Sequence, residues 1–203
     1  MLFFCGAVQA QKAIQLNNPS FEDTPRAGHV PTGWKNCGQE FESPPDTHPA
    51  DAFGVNIPAI DGNTYLGLVV RDNDTWEQVG QRLSTALSKG QCYTFSLYLA
   101  RSQSYHSASR ITYKDANYNT PAVIRIWGGN ANCEKLELLA LSVPVVASYW
   151  REYQFKFSPK RDHYSHLVIE AYYKDRFGEA YNGNILVDKA SDIVPVDCDT
   201  PDK

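Results

Sequence analysis

TPAVIRIWGGN, residues 120–130, decides how this chain is read. Successive side chains of an extended segment point to opposite faces, so Val123-Ile124-Arg125-Ile126-Trp127 reads as a strand with Ile124 and Ile126 on one side. Arg125 and Trp127 then share the other side, away from the core. Gly128-Gly129 reads as the turn that ends it.

Similar short segments recur between clusters of Gly, Pro, Asn and Asp. Strands are expected near Ala13 to Leu16, Tyr65 to Val70, Trp76 to Leu83, Cys92 to Ala100, Ala122 to Trp127, Leu136 to Leu141, Arg151 to Phe157, Leu167 to Tyr173 and Ile185 to Ser191. No segment sustains a helical period beyond about two turns. Two stretches look irregular: Gly38 to Asn63, rich in Pro and Asp, and Ser102 to Thr120, with Tyr105, Tyr113 and Tyr118. Long loops in a compact domain are more often functional or disordered than accidental.

Alternation also assigns faces. Tyr93, Phe95, Leu97 and Leu99 point inward, as do Leu167, Ile169, Ala171 and Tyr173. The sides left over carry Trp76, Gln78, Arg82, Ser96, Tyr98, Arg125, Trp127, Glu170 and Tyr172, a mixture of flat aromatics and planar hydrogen-bonding groups. Glu77 falls on the opposite side of its strand.

The 203 residues, 42% hydrophobic and 21% charged, suffice for one well-buried domain. Twelve tyrosines against a single methionine favour strands over helices. A formal charge of −4 without a long basic run offers no electrostatic footprint for nucleic acid or an anionic membrane, and suits a neutral partner. Residues 1–10, MLFFCGAVQA, read as a truncated export signal ending in the cleavage-like Val8-Gln9-Ala10, which leaves residues 11–203 as one secreted or cell-surface domain. Nothing else is apolar enough to span a bilayer.

Four cysteines remain, an even number suited to an oxidising compartment. Three pairings are possible. If the strands at Cys92 and Trp127 are antiparallel neighbours, Cys92 pairs with Cys133, which leaves Cys37 to Cys198 to tie the domain's two ends together.

LNNPSFEDTP, PTGWKNCG, DGNTYLGLVV, WEQVGQRLSTALSKGQCYTFSLYLA, SYWREYQFKFSP and NGNILVDKAS follow one another in an order that resembles the jelly-roll carbohydrate-binding modules of the galactose-binding-domain-like fold. Their order and spacing carry the resemblance, which covers nearly the whole mature chain. It implies an all-β sandwich of two antiparallel sheets, found in secreted and cell-surface proteins of bacteria. It also implies a structural calcium at Glu22, at Asp61 or a carbonyl of its turn, and at Asp188. Calcium takes about six to eight oxygen ligands and accepts carboxylates and carbonyls from separate segments. Trp34 and Trp150 resemble the fold's structural tryptophans.

Sugars present apolar C–H faces and hydroxyls, so a binding face needs flat aromatics beside bidentate polar groups. The shared face meets that demand at Trp76, Gln78, Arg82, Tyr98, Arg125, Trp127, Glu170 and Tyr172. The plainer reading has Trp127 packed under the long loop and Arg125 paired with Glu170 as scaffolding. A different class is a cell-surface adhesion or assembly module whose face contacts protein. Catalysis on glycosides would need paired carboxylates about 5 to 9.5 Å apart, and no hydrolase signature surrounds Glu170, Glu77 or Asp74. HExxH, a phosphate-cradling glycine loop and a Gly-x-Ser-x-Gly elbow are all missing from the sequence.

Overall fold

A computed structural model describes residues 12–50, 52–175 and 178–199. The expected export signal lies outside these residues. In chain order the strands are β1 (Lys35–Asn36), β2 (Asp46–His48), β3 (Tyr65–Val70), β4 (Gln78–Leu87), β5 (Cys92–Arg101), β6 (His106–Ala108) and β7 (Asp115–Asn117). They continue with β8 (Ala122–Gly129), β9 (Glu137–Leu141), β10 (Arg151–Phe157), β11 (Tyr164–Tyr173), β12 (Gly183–Asp188) and β13 (Val194–Val196). One sheet runs β1-β4-β11-β8-β9; the other runs β10-β5-β12-β3-β2, with β13 also paired to β5. All pairings are antiparallel, giving the expected all-β jelly-roll sandwich. Among the described residues no helix is long and apolar enough to cross a membrane.

Alternation explains why the sheets close on each other. Ile124, Ile126, Leu167 and Ile169 from the five-stranded sheet meet Leu66, Leu68, Leu97, Leu99, Ile185 and Val187 from the other in one buried cluster. Each such side chain contributes about 1.5–3 kcal/mol on leaving water, before the entropy of ordering it. Trp34 belongs to this core and stacks on Phe21 at 4.9 Å. Trp150 does not: it is half-buried against a second cluster on the outer side of the six-stranded sheet, where its indole N–H donates to the Pro58 carbonyl.

Several boundaries differ from expectation for identifiable reasons. Gly128 and Gly129 continue β8, opposite Leu167 and His166, rather than turning. A Cβ at Gly128 would lie 2.5 Å from the Tyr164 ring, and one at Gly129 would lie 2.2 Å from the Glu134 carbonyl oxygen. The glycines thus allow close approach within a strand. Ala13 to Leu16 makes only an isolated bridge from Ile14 to Ile193, because the amides of Gln15 and Asn17 donate to the side chains of Ser84 and Gln81. The stretch Gly38 to Asn63 contains β2, whose Asp-Thr-His sequence is wholly buried and lacks any apolar alternation. The stretch Ser102 to Thr120 folds into the β6–β7 hairpin and packs Tyr105 and Tyr118 against Tyr65, Val69 and Leu186 on the outer side of the six-stranded sheet.

The disulfides are Cys37–Cys133 and Cys92–Cys198, each with a Cα–Cα distance of 5.1 Å. The expected pairs, Cys92–Cys133 and Cys37–Cys198, are incorrect because their premise fails: β5 and β8 lie in different sheets. Val196 pairs with Cys92 and so delivers Cys198 to its partner. Cys37 follows edge strand β1 and lies over Gly80 of β4, next to the loop that carries Cys133.

Candidate functional site

The outward face of the five-stranded sheet is built by register. Gln78, Glu170 and Arg125 lie side by side on β4, β11 and β8, with Trp127 two residues along β8 and Tyr172 two along β11. Trp76 precedes β4 and reaches the same place. Inward-facing Val79, Ile169, Ile126 and Ile124 anchor each of these strands in the core.

Glu170 is fully buried at the centre, although it faces away from the core. A buried carboxylate is costly unless paired and hydrogen-bonded. Three hydrogen-bond donors and one further cation meet that requirement here. Oε1 accepts from Trp76 Nε1 at 2.7 Å and Lys135 Nζ at 2.5 Å, and Oε2 accepts from Trp127 Nε1 at 2.6 Å. Arg125 Nε lies 2.8 Å from Oε2 as an ion pair, although its angle falls outside that of a hydrogen bond. The Arg125 guanidinium stacks over Tyr172, 3.1 Å from the ring centroid, and Tyr172 packs edge-on against Trp76 at 4.8 Å. Cation–π contacts of this kind contribute about 0.5–2 kcal/mol.

The pairing of Arg125 with Glu170 therefore exists, and it serves to position the aromatics. Both indole N–H groups are committed to one carboxylate, which sets the plane and tilt of the two half-buried tryptophans. A rigid aromatic platform loses little entropy when a ligand settles on it.

Of the residues expected to share a site, Trp76, Gln78, Arg125, Trp127, Glu170 and Tyr172 come together. Arg82 is exposed farther along β4, opposite His166 and outside the Glu170 network. Tyr98 lies on β5 of the other sheet, with Lys189 Nζ 5.3 Å from its ring centroid. Ser96 lies there too. Alternation distinguishes in from out but does not say out of which sheet. Lys135 was missed because its segment, Cys-Glu-Lys-Leu, has no strand pattern. The Cys37–Cys133 bridge brings it to the site, where Nζ also donates to Gln78 Oε1 at 2.9 Å. The register further adds Leu138 opposite Trp127 and Leu141 opposite Arg125, 42% and 57% exposed.

Glu77, facing the other way, is buried in an ion pair with Arg71, and its Oε2 accepts from the Val69 amide at 3.0 Å. Burial pushes its pKa up to about 8. Neither Glu77 nor Glu170 reaches solvent as a paired catalytic carboxylate would need to.

The three acidic residues implied for calcium reach one turn. Glu22 Oε1 accepts from the amides of Asn63 and Thr64 at 2.8 and 2.9 Å, and Asp188 Oδ2 accepts from Ile60 and Asp61 at 2.9 and 3.1 Å. Asp61 accepts from the Ser20 hydroxyl. Gly62, at φ +65°, lets Glu22 come in so closely that a Cβ would lie 2.2 Å from its Oε1. Among the described residues no three His, Cys, Asp or Glu side chains alone form a metal cluster.

No protein-family model and no curated protein matches the chain. It is similar in structure to a cyclase from Fischerella sp. TAU, at 12% identity over 93% of this chain and 99% of that one, with a TM-score of 0.56. It is also similar to the K1 cleaved adhesin domain of Lys-gingipain from Porphyromonas gingivalis W83, at 10% identity over 88% and 96% of the two chains, TM-score 0.51. A family 16 carbohydrate-binding module aligns at 12% identity over 90% and 99%, TM-score 0.45. At such identities the first two likenesses establish a shared fold alone, and function has to be argued from the site.

Replacing Glu170 with Ala strands Arg125 and Lys135 beside an uncharged cavity, so chemical denaturation should show a loss of about 3–5 kcal/mol. A loss below about 1 kcal/mol, the range of exposed ion pairs, would mean that the arrangement around Glu170 is not held in solution.

Proposed function

We propose that the chain is a secreted or cell-surface module that binds carbohydrate without catalysis on the outward face of the five-stranded sheet. The observation that carries this reading is the pair of tryptophans locked by Glu170, flanked by Arg125, Lys135 and Gln78. The indole faces suit the C–H side of a sugar ring, and the planar amide and cationic groups suit its hydroxyls. A sheet face fits a stretch of polysaccharide laid along it, and the two disulfides suit an oxidising compartment. The cyclase likeness leaves catalysis as the rival. Against it stands the central carboxylate, which is fully buried and holds three hydrogen-bond donors and the Arg125 cation where a proton-transfer group must reach its substrate.

A second reading has its own support. Exposed Leu138 and Leu141 continue the face along edge strand β9, and an apolar extension of this kind favours a protein partner on a cell surface.

Retention on insoluble and soluble plant, algal and bacterial polysaccharides separates the two. The wild-type chain should be retained by at least one, and Trp127→Ala should weaken retention by roughly tenfold, the scale of one lost stacking contact near 1.4 kcal/mol. Retention by none would overturn carbohydrate binding, and retention unaffected by Trp127→Ala would overturn its placement.

We also propose a structural calcium at the 60–64 turn, with Glu22, Asp61 and Asp188 supplying carboxylate oxygens and backbone carbonyls completing the shell. Its support is that Glu22 and Asp188, from two separate segments, both reach that turn, whose own Asp61 adds a third carboxylate. Because a ligand of the native state stabilises it, chelation should lower the melting temperature and added calcium should restore it. Identical melting curves with and without chelator would exclude the ion.

A further inference from the structure

A cavity of about 320 Å³ lies between the β6–β7 hairpin and the outer side of the six-stranded sheet, on the opposite side of the sandwich from the Glu170 face. Its wall is aromatic on one side, where Phe53 stacks on Tyr105 at 4.4 Å and Tyr118 packs beside them. Its base is charged. Arg71 is 2% exposed and holds three neighbours through two of its nitrogens: Nε faces Glu42 at 3.4 Å, and Nη2 pairs with Glu77 and donates to Ser43 Oγ at 2.9 Å. Its Nη1 lines up with no hydrogen-bond partner, which is unusual for a buried guanidinium.

The other polar groups are arranged to keep capacity in reserve. Asp46 accepts one bond on each oxygen, from the Gly28 amide at 2.7 Å and the Tyr105 hydroxyl at 2.8 Å, which leaves a lone pair on each. Tyr105 and Tyr118 spend their protons on Asp46 and on the Ala108 carbonyl and can still accept. At the rim, Arg110 uses Nε on Glu42 at 3.0 Å, and its side chain is one-third exposed. Donors and acceptors therefore alternate over an aromatic wall. Arg71 and Arg110 face three carboxylates, Glu42, Glu77 and Asp46, so the cavity has no excess of positive charge to select an anion.

We infer that this cavity is a second binding site, for a single neutral hydroxylated ring such as a monosaccharide or the end of a glycan chain. Each hydroxyl can accept from Arg110 while donating to Asp46 or a tyrosine oxygen, which neither a bare anion nor a bare cation can do. The ring's C–H face lies on Phe53. The volume is at the small end of the range for ligand pockets, about 300–1,000 Å³, and admits one ring rather than a chain segment. A purely structural ion pair would account for Glu42 and Glu77 but not for the cavity lined by Phe53, Tyr105 and Arg110 beside it. The site does not rest on the sheet-face reading.

Saturation-transfer NMR on the full chain with glucose, galactose, mannose, xylose, arabinose, fucose and rhamnose tests it, followed by calorimetry on any sugar that responds. One of these should bind. Phe53→Ala and Arg110→Ala, which leave the Arg71–Glu77 pair intact, should each weaken it about tenfold while the chain still melts cooperatively. Trp127→Ala should leave monosaccharide affinity as it is while reducing polysaccharide retention. No transfer from any sugar, affinity unchanged in both cavity variants, or affinity lost in Trp127→Ala would each overturn the assignment.

Discussion

A carboxylate buried on the outside of a sheet is the constraint from which the rest of this face follows. Glu170 has no exposed surface, yet its register puts it opposite the core. An unpaired charge there would cost several kcal/mol. The protein meets that cost with two cations and two indoles drawn from β8, from the segment before β4 and from the loop after β8. Those partners are then no longer free to reorient, and the largest aromatic surfaces on this sheet become fixed features. Cys37–Cys133 secures the arrangement by holding Lys135's loop beside β4.

The two outer faces of the sandwich solve the same problem differently. Above the five-stranded sheet the polar groups pair around Glu170 and leave an aromatic platform. Above the six-stranded sheet a hairpin covers the strands, burying Tyr105 and Tyr118 and enclosing a cavity with Arg71 and Asp46 at its base. One face suits a ligand laid along it, and the other suits a ligand inserted into it.

Much of the architecture is legible from alternation. Ile124 and Ile126 are core, Arg125 and Trp127 are not, and the long β3, β5, β8, β10 and β11 strands lie close to where the pattern puts them. Period-two reasoning stops at the sheet to which a strand belongs. That single gap misplaced Tyr98, which points outward from the wrong sheet, and mispaired the cysteines, since β5 and β8 are not neighbours. It also hid Lys135, whose only route to the site is the bridge at Cys133. β2 escaped because a buried Asp-Thr-His run shows no apolar period; its burial comes from the hairpin that closes over it.

The central claim is that Glu170 presents Trp76 and Trp127 as a ready-made platform for sugar. The indole N–H resonances of the four tryptophans report on it directly in a proton–nitrogen correlation spectrum. With a soluble fragment of a retained polysaccharide, the Trp76 and Trp127 resonances should move together while that of core Trp34 stays in place. Movement of Trp34 or Trp150 with Trp76 and Trp127 unchanged would contradict the account.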